Sequence, residues 1–85
     1  MLVRLIYCSR AQQLIDQALV DDILSASRKY NPALGITGLL CYSKDVFMQV
    51  VEGSRAHVNR LYLKLARDPR HHSLTLLSFH EIEQR

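Results

Sequence analysis

The chain has 85 residues and a mass of 9.8 kDa, which predicts one small domain with a limited core. Its hydrophobic content of 48% excludes a disordered chain, and no apolar run is long enough to cross a bilayer, because Arg4 interrupts the first one. The same arginine leaves no room for the apolar core of a signal peptide, so we expect a cytoplasmic protein without a membrane partner. The net charge of +3 is small and the basic residues are scattered, so nucleic-acid binding gains little support.

The first half of the chain predicts a strand, a helix and a turn. Residues 2–8 (LVRLIYC) are rich in β-forming residues, and residues from about 16 to 30 predict a helix. Four residues of that helix recur at helical spacing: Leu19, Ile23, Ala26 and Tyr30. Asn31-Pro32 is expected to end it, because proline disfavours helical geometry in the residue before it.

The second half predicts two strands, a second helix and a final strand. The two strands cover about 35–42 (GITGLLCY) and 46–51 (VFMQVV), and the prediction of a hairpin rests on them, since the turn lacks an Asn-Gly or Asp-Gly pair. Ser54 is expected to cap a helix that ends near Asp68. Its apolar stripe has helical spacing: Val58, Leu61, Tyr62 and Leu65. A last strand runs from about 73 to 82.

The order βαββαβ predicts an α+β fold, a ferredoxin-like sandwich in which a mixed sheet carries both helices on one face. Strand alternation places three residues of the first strand and three of the third on one face each: Val3, Leu5 and Tyr7, and Phe47, Gln49 and Val51. If these faces meet the helices, the Tyr7 phenol and the Gln49 carboxamide point between sheet and helices. An unsatisfied buried polar group costs roughly 1–3 kcal/mol. The two side chains therefore either satisfy each other or bind something that fills that space.

Taken singly, these polar residues have ordinary explanations. A strand tyrosine is commonly an amphipathic core residue, and a strand glutamine can bind a backbone group. Asn31 before a proline is typical of a turn, and Asp68 and Arg70 on either side of a proline are typical of a solvated loop.

Four motifs in order nevertheless resemble the BLUF domains, a family of small bacterial blue-light sensors. They are Tyr-Cys-Ser in the first strand, Asn-Pro-x-x-x-Ile-Thr-Gly-x-Leu, Phe-x-Gln-x-x-Glu-Gly and Arg-Asp-x-Arg-His. The similarity covers residues from about 2 to 82 of one domain, 1–85. The family domain continues through another strand, which often carries a Trp or Met near the glutamine, so we expect this sequence to be truncated before that strand.

The resemblance implies a flavin bound non-covalently between the two helices, with its pyrimidine edge facing the sheet. By position, Tyr7 and Gln49 are the photoactive pair beside the flavin N5 and C4 carbonyl. Asn31 would bind the C4 carbonyl and N3–H edge, since a carboxamide offers a donor and an acceptor. Arg70 would donate to the C2 carbonyl region.

The resemblance also gives the remaining cofactor contacts. Asp68 and His71 would complete the polar rim, Ile23 and Leu65 would cover the two ring faces, and Phe47 belongs to the same set. The sequence has no Gly-rich phosphate loop, which fits a family that takes little specificity from the phosphates. The expected cofactor is FAD, and FMN or riboflavin could also bind.

In function, the resemblance implies a photoreceptor and not an enzyme. Light would drive electron and proton transfer from Tyr7 and rearrange the hydrogen bonds of Gln49. The rearranged hydrogen bonds would shift the equilibrium between two conformations of a part of the protein.

The sheet face opposite the helices would be apolar: Leu2, Ile6, Cys8, Val46, Met48 and Val50. Only Arg4 interrupts it, so we expect it to bind a C-terminal segment, a second copy of the chain or a downstream signalling protein.

Three other classes remain as alternatives. An RRM-like nucleic-acid-binding module has the same element order, but it needs aromatic residues on the open sheet face, and alternation assigns Phe47 to the other side. A flavin-free regulatory domain of ferredoxin-like fold is the second. A metalloenzyme is the third, and it is disfavoured because no pair of the four histidines has a familiar ligand spacing.

Overall fold

A computed structural model of the chain describes residues 1–30 and 35–84, without the side chains of residues 26, 29 and 30. The elements follow in the predicted order: strand β1 (Leu2–Ala11), helix α1 (Gln17–Tyr30), strands β2 (Thr37–Ser43) and β3 (Val46–Ser54), helix α2 (Arg55–Ala66) and strand β4 (His71–Ile82). The strands form one sheet in the order β2-β3-β1-β4, which is the predicted ferredoxin-like arrangement.

Each pair of neighbouring strands in this sheet is antiparallel, so the expectation of a mixed sheet is wrong. The reason lies in the two helical connections. Each helix joins two strands that point the same way, but the connection skips one position in the sheet. That position holds a strand of the opposite direction, which is β3 between β1 and β2, and β1 between β3 and β4.

Alternate residues of the two central strands face the helices and form the core. All six residues that alternation assigned to this face are buried: Val3, Leu5, Tyr7, Phe47, Gln49 and Val51. Val58 of α2 packs against them with no exposed surface. Gly53 permits this close packing, because a Cβ at that position would lie 3.3 Å from Val58 Cγ2 and 3.2 Å from Ile36 Cγ1.

Both helices begin at a side-chain cap. Ser54 caps α2 as predicted, its hydroxyl accepting a hydrogen bond from the His57 backbone N–H at 3.3 Å. The Asp16 carboxylate accepts from the Leu19 backbone N–H at 2.9 Å, so α1 begins one residue later than predicted. The predicted stop at Asn31-Pro32 lies outside the described residues.

The strands β1 and β3 are each three residues longer than predicted. The extension of β1 begins with two polar residues, Ser9 and Arg10, which lie opposite Phe47 and Val46 in the ladder. Backbone pairing sets the length of a strand in a sheet, and it does not require an apolar side chain. The hydrophobic pattern therefore underestimated the length of both strands.

The face of the sheet opposite the helices, called the open face below, carries the predicted apolar strip. Met48 is 39% exposed there. Arg4 is paired with Glu52 at 2.6 Å, so an ion pair and not a lone cation interrupts the strip.

Cys8 is half-buried and Cys41 is exposed, and neither forms a disulfide. No helix in the described parts of the chain is long and apolar enough to span a membrane.

Candidate functional site

Tyr7 and Gln49 are direct partners across β1 and β3, and both side chains point toward the helices. Tyr7 is 3% exposed and Gln49 is 8% exposed. The Tyr7 hydroxyl donates a hydrogen bond to Gln49 Oε1. The two buried polar groups therefore satisfy each other, which was one of the two possibilities that the sequence left open.

The surroundings of Tyr7 keep its phenol neutral. Burial raises the pKa of Tyr7 well above its ordinary value, and the negative charge of Asp68 and the nearby Tyr62 raise it further. The Tyr62 ring meets the Tyr7 ring edge-on, with centroids 6.3 Å apart. Tyr7 is thus a rigidly packed hydrogen-bond donor that gives up a proton only with difficulty.

A cleft between α1, α2 and the sheet brings the predicted contact residues together. Eight of the nine residues line it: Tyr7, Ile23, Phe47, Gln49, Leu65, Asp68, Arg70 and His71. Its empty volume is about 340 Å³, part of it open to solvent. The ninth residue, Asn31, lies outside the described residues.

Ser9 and Leu40 also line the cleft, and neither was predicted. Continued alternation along β1 from Tyr7 would have pointed to Ser9, but the predicted strand ended too early. Leu40 lies directly opposite Gln49 in the ladder of β2 and β3. The residues of β2 show no alternation of polarity that could have indicated which of them face the helices.

A second empty region adjoins the cleft along α1. It has about 630 Å³ of empty volume, includes open solvent, and shares Leu40 and Gln49 with the cleft. Helix α1 is correspondingly poorly covered. In its described part Val20 is buried, whereas Ile23 of its apolar stripe and the neighbouring Leu24 are only half-buried. Empty space therefore lies between the described part of α1 and strands β2 and β3.

His71 connects three elements at the edge of the cleft. Its Nε2 lies 2.7 Å from the Leu65 carbonyl at the end of α2, and its Nδ1 lies 2.7 Å from the Ser9 hydroxyl. A carbonyl can only accept, so Nε2 carries the proton and donates. In the neutral imidazole Nδ1 then accepts from the Ser9 hydroxyl, and this bond satisfies the polar group of a serine that is 2% exposed.

Asp68 and Arg70 form a compact ion pair around Pro69. Arg70 Nη2 lies 2.6 Å from Asp68 Oδ2, and Arg70 Nε lies 3.0 Å from each carboxylate oxygen. The hydrogen bonds from Arg70 are the main reason why the pKa of Asp68 is lowered. Both side chains line the cleft, at the position where the resemblance placed them as part of its polar rim.

The chemistry of the cleft fits a flat heteroaromatic ligand with a polar edge. Ile23 and Leu65 offer apolar surfaces from two different helices, and an amide, a phenol and a guanidinium lie on the remaining sides. An RRM-like surface does not fit, because Phe47 is buried under the helices and is not displayed on the open face.

Comparison with known proteins identifies the family. The sequence model of the BLUF family, which is described as sensors of blue-light using FAD, matches residues 2–85 of this chain. Photoactivated adenylate cyclase subunit beta of Euglena longa is 32% identical over 84 residues, which are 99% of this chain and 10% of that protein. The solved dark-state structure of BlrB, a BLUF protein, has a TM-score of 0.90 and 39% identity over 99% of this chain and 64% of its own.

A bacterial light-regulated adenylyl cyclase superposes over the whole chain with a TM-score of 0.93 and 32% identity, covering 25% of its own length. The chain thus spans only a small part of the cyclases that it resembles. The family model matches nearly all of this chain, and the structure pairs Tyr7 with Gln49. This chain belongs to the BLUF family of flavin-binding blue-light sensors.

Proposed function

We propose that the chain is the light-sensing part of a signalling protein and that Tyr7 and Gln49 are its photoactive pair. The observation that supports this most directly is the buried hydrogen bond from the Tyr7 hydroxyl to Gln49 Oε1 at the wall of the cleft. Any output activity would belong to another domain or to a partner.

In this proposal the bound flavin supplies blue-light absorption and an excited state that accepts an electron. Tyr7 gives up an electron together with its phenolic proton, because its raised pKa disfavours loss of the proton alone. The proton moves along the existing hydrogen bond to Gln49. When the electron and proton return, the Gln49 amide is left tautomerised, rotated or both, and its hydrogen bonds are rearranged.

The same proposal assigns the holding contacts. Ile23 and Leu65 cover the ring faces with Phe47 beside them, and Arg70, Asp68, His71 and Asn31 serve the polar edge. FAD is the proposed cofactor. Because all these contacts are with the ring system, FMN and riboflavin fit the same assignment.

Cofactor content tests this proposal. Purified protein should carry flavin that is released on denaturation, and its absorption band should shift reversibly to the red under blue light. Asn31→Ala should lower the flavin retained after dialysis, because it removes a carboxamide from the polar edge. Asn59→Ala, on the exposed side of α2, is the matched control and should retain wild-type flavin content. Colourless protein that also fails to bind added flavin would contradict the proposal.

We further propose that the signal leaves through the open face to a second copy of the chain or a downstream signalling protein in the cytosol. Gln49 lies between Met48 and Val50 on β3, and these two neighbours point to the open face. A rearrangement of Gln49 would therefore be felt on both sides of the sheet. The free, partly exposed cysteines are compatible with a reducing compartment.

Association through the open face can be tested with a charge at its centre. Met48→Lys should reduce self-association, or binding of a purified output partner, because it places an ammonium group on an apolar strip. Sedimentation measures the association, and flavin content should stay unchanged. Leu63→Lys, on an exposed residue of α2, is the control for added charge. Equal association of both variants and the wild type would argue against this face.

A further inference from the structure

A charged contact joins the α1 side of the cleft to the connection between α2 and β4. Asp22 on α1 accepts a hydrogen bond from Arg70, with 2.8 Å between Oδ2 and Nη1. Asp22 precedes Ile23, which lines the cleft, and Arg70 lines the cleft itself. The contact therefore connects two sides of the proposed flavin site.

The two partners of this contact are held very differently. Asp68 fixes Arg70 through Nε and Nη2, and it also accepts from the Arg70 backbone N–H at 2.9 Å. Asp22 has a side chain that is 67% exposed, and it belongs to the poorly covered helix. Arg70 is thus held by Asp68 through several hydrogen bonds, whereas α1 reaches it here through one exposed contact.

The contact also leaves Arg70 able to bind a ligand. A guanidinium has five N–H donors. Asp68 and Asp22 engage Nε, Nη2 and Nη1, using one N–H of each, so among the described residues two donors of the side chain stay available. Asp22 therefore helps to orient these donors and does not compete for all of them.

We propose that Asp22 is a positioning residue that latches α1 over the cleft through Arg70, and that this latch slows the release of the flavin. The inference rests on the proposed location of the flavin between α1 and α2. Because the pair is exposed, it is a weak contact that salt screens. A latch of this strength can open for ligand entry without unfolding the helix.

Riboflavin dissociation tests the latch. Riboflavin has no phosphate, so a salt effect on its release reports on the protein and not on ligand charge. Asp22→Asn should speed dissociation by about two- to fivefold, the range expected for losing one exposed ion pair. Rising sodium chloride should speed release from the wild type but not from Asp22→Asn. Asp22→Glu should restore a slow, salt-sensitive release.

Asp21→Asn is the matched control. Asp21 is the adjacent residue, is exposed, and accepts from the Gln17 side chain at 2.8 Å, so its substitution makes the same change in net charge while Asp22 and Arg70 stay intact. It should release riboflavin like the wild type. The latch is overturned if Asp22→Asn keeps the wild-type rate and salt dependence, or if Asp21→Asn changes both equally. Wild-type protein that binds neither FAD, FMN nor riboflavin would overturn the proposed function, and the latch with it; if FAD binds and riboflavin does not, the same rates are measured with FAD.

Discussion

Tyr7→Phe is expected to abolish the reversible red shift of the flavin band under blue light and to leave the flavin bound. The phenylalanine ring keeps the buried position and the edge-on contact with Tyr62, so the cleft should hold its shape. Only the hydroxyl is lost, and with it the electron and proton donor and the hydrogen bond to Gln49 Oε1. Flavin fluorescence should rise, because electron transfer from Tyr7 no longer competes with emission.

The matched control for this variant is Tyr62→Phe. It removes a hydroxyl from the neighbouring ring of the same aromatic pair, and it leaves the hydrogen bond between Tyr7 and Gln49 in place. Absorption difference spectra before and after illumination should show a normal red shift in Tyr62→Phe. A normal red shift in Tyr7→Phe would mean that the donor is another residue.

Strand alternation predicts one part of this site, the two polar side chains on the sheet. A period of two along β1 and β3 grouped Tyr7 and Gln49 with apolar neighbours on one face of each strand, and the structure shows that these faces meet the helices. The helical stripe of α2 indicated that Leu65 points inward, and Leu65 lines the cleft in the structure. These signals are local in sequence, so a single chain displays them without information on packing.

Features that depend on distant pairing were not predictable. The contact of Asp22 with Arg70 joins residues 48 positions apart. The register of β4 against β1 shifts on both sides of Tyr7 and Cys8, and near the second shift Ser73 has a φ of 56°. A serine in this left-handed region is uncommon, and no local pattern indicates it.

The other large effect is expected from Gln49→Leu, which should also abolish the red shift. Leucine can fill much of the buried space, but it has no amide to tautomerise or rotate. It also leaves the Tyr7 hydroxyl without its acceptor, and a buried unsatisfied donor costs roughly 1–3 kcal/mol. Denaturant unfolding should therefore show a loss of stability of this size if no other group replaces the acceptor.

Fluorescence separates this variant from Tyr7→Phe. Gln49→Leu keeps the phenol, so part of the quenching by electron transfer from Tyr7 should persist although the spectrum no longer shifts. Met48→Leu is the matched control, because it changes the next residue on β3 to the same side chain on the open face. It should switch normally. If Gln49→Leu shows the full reversible shift, rearrangement of this amide is not the switch, and the change must arise elsewhere around Tyr7.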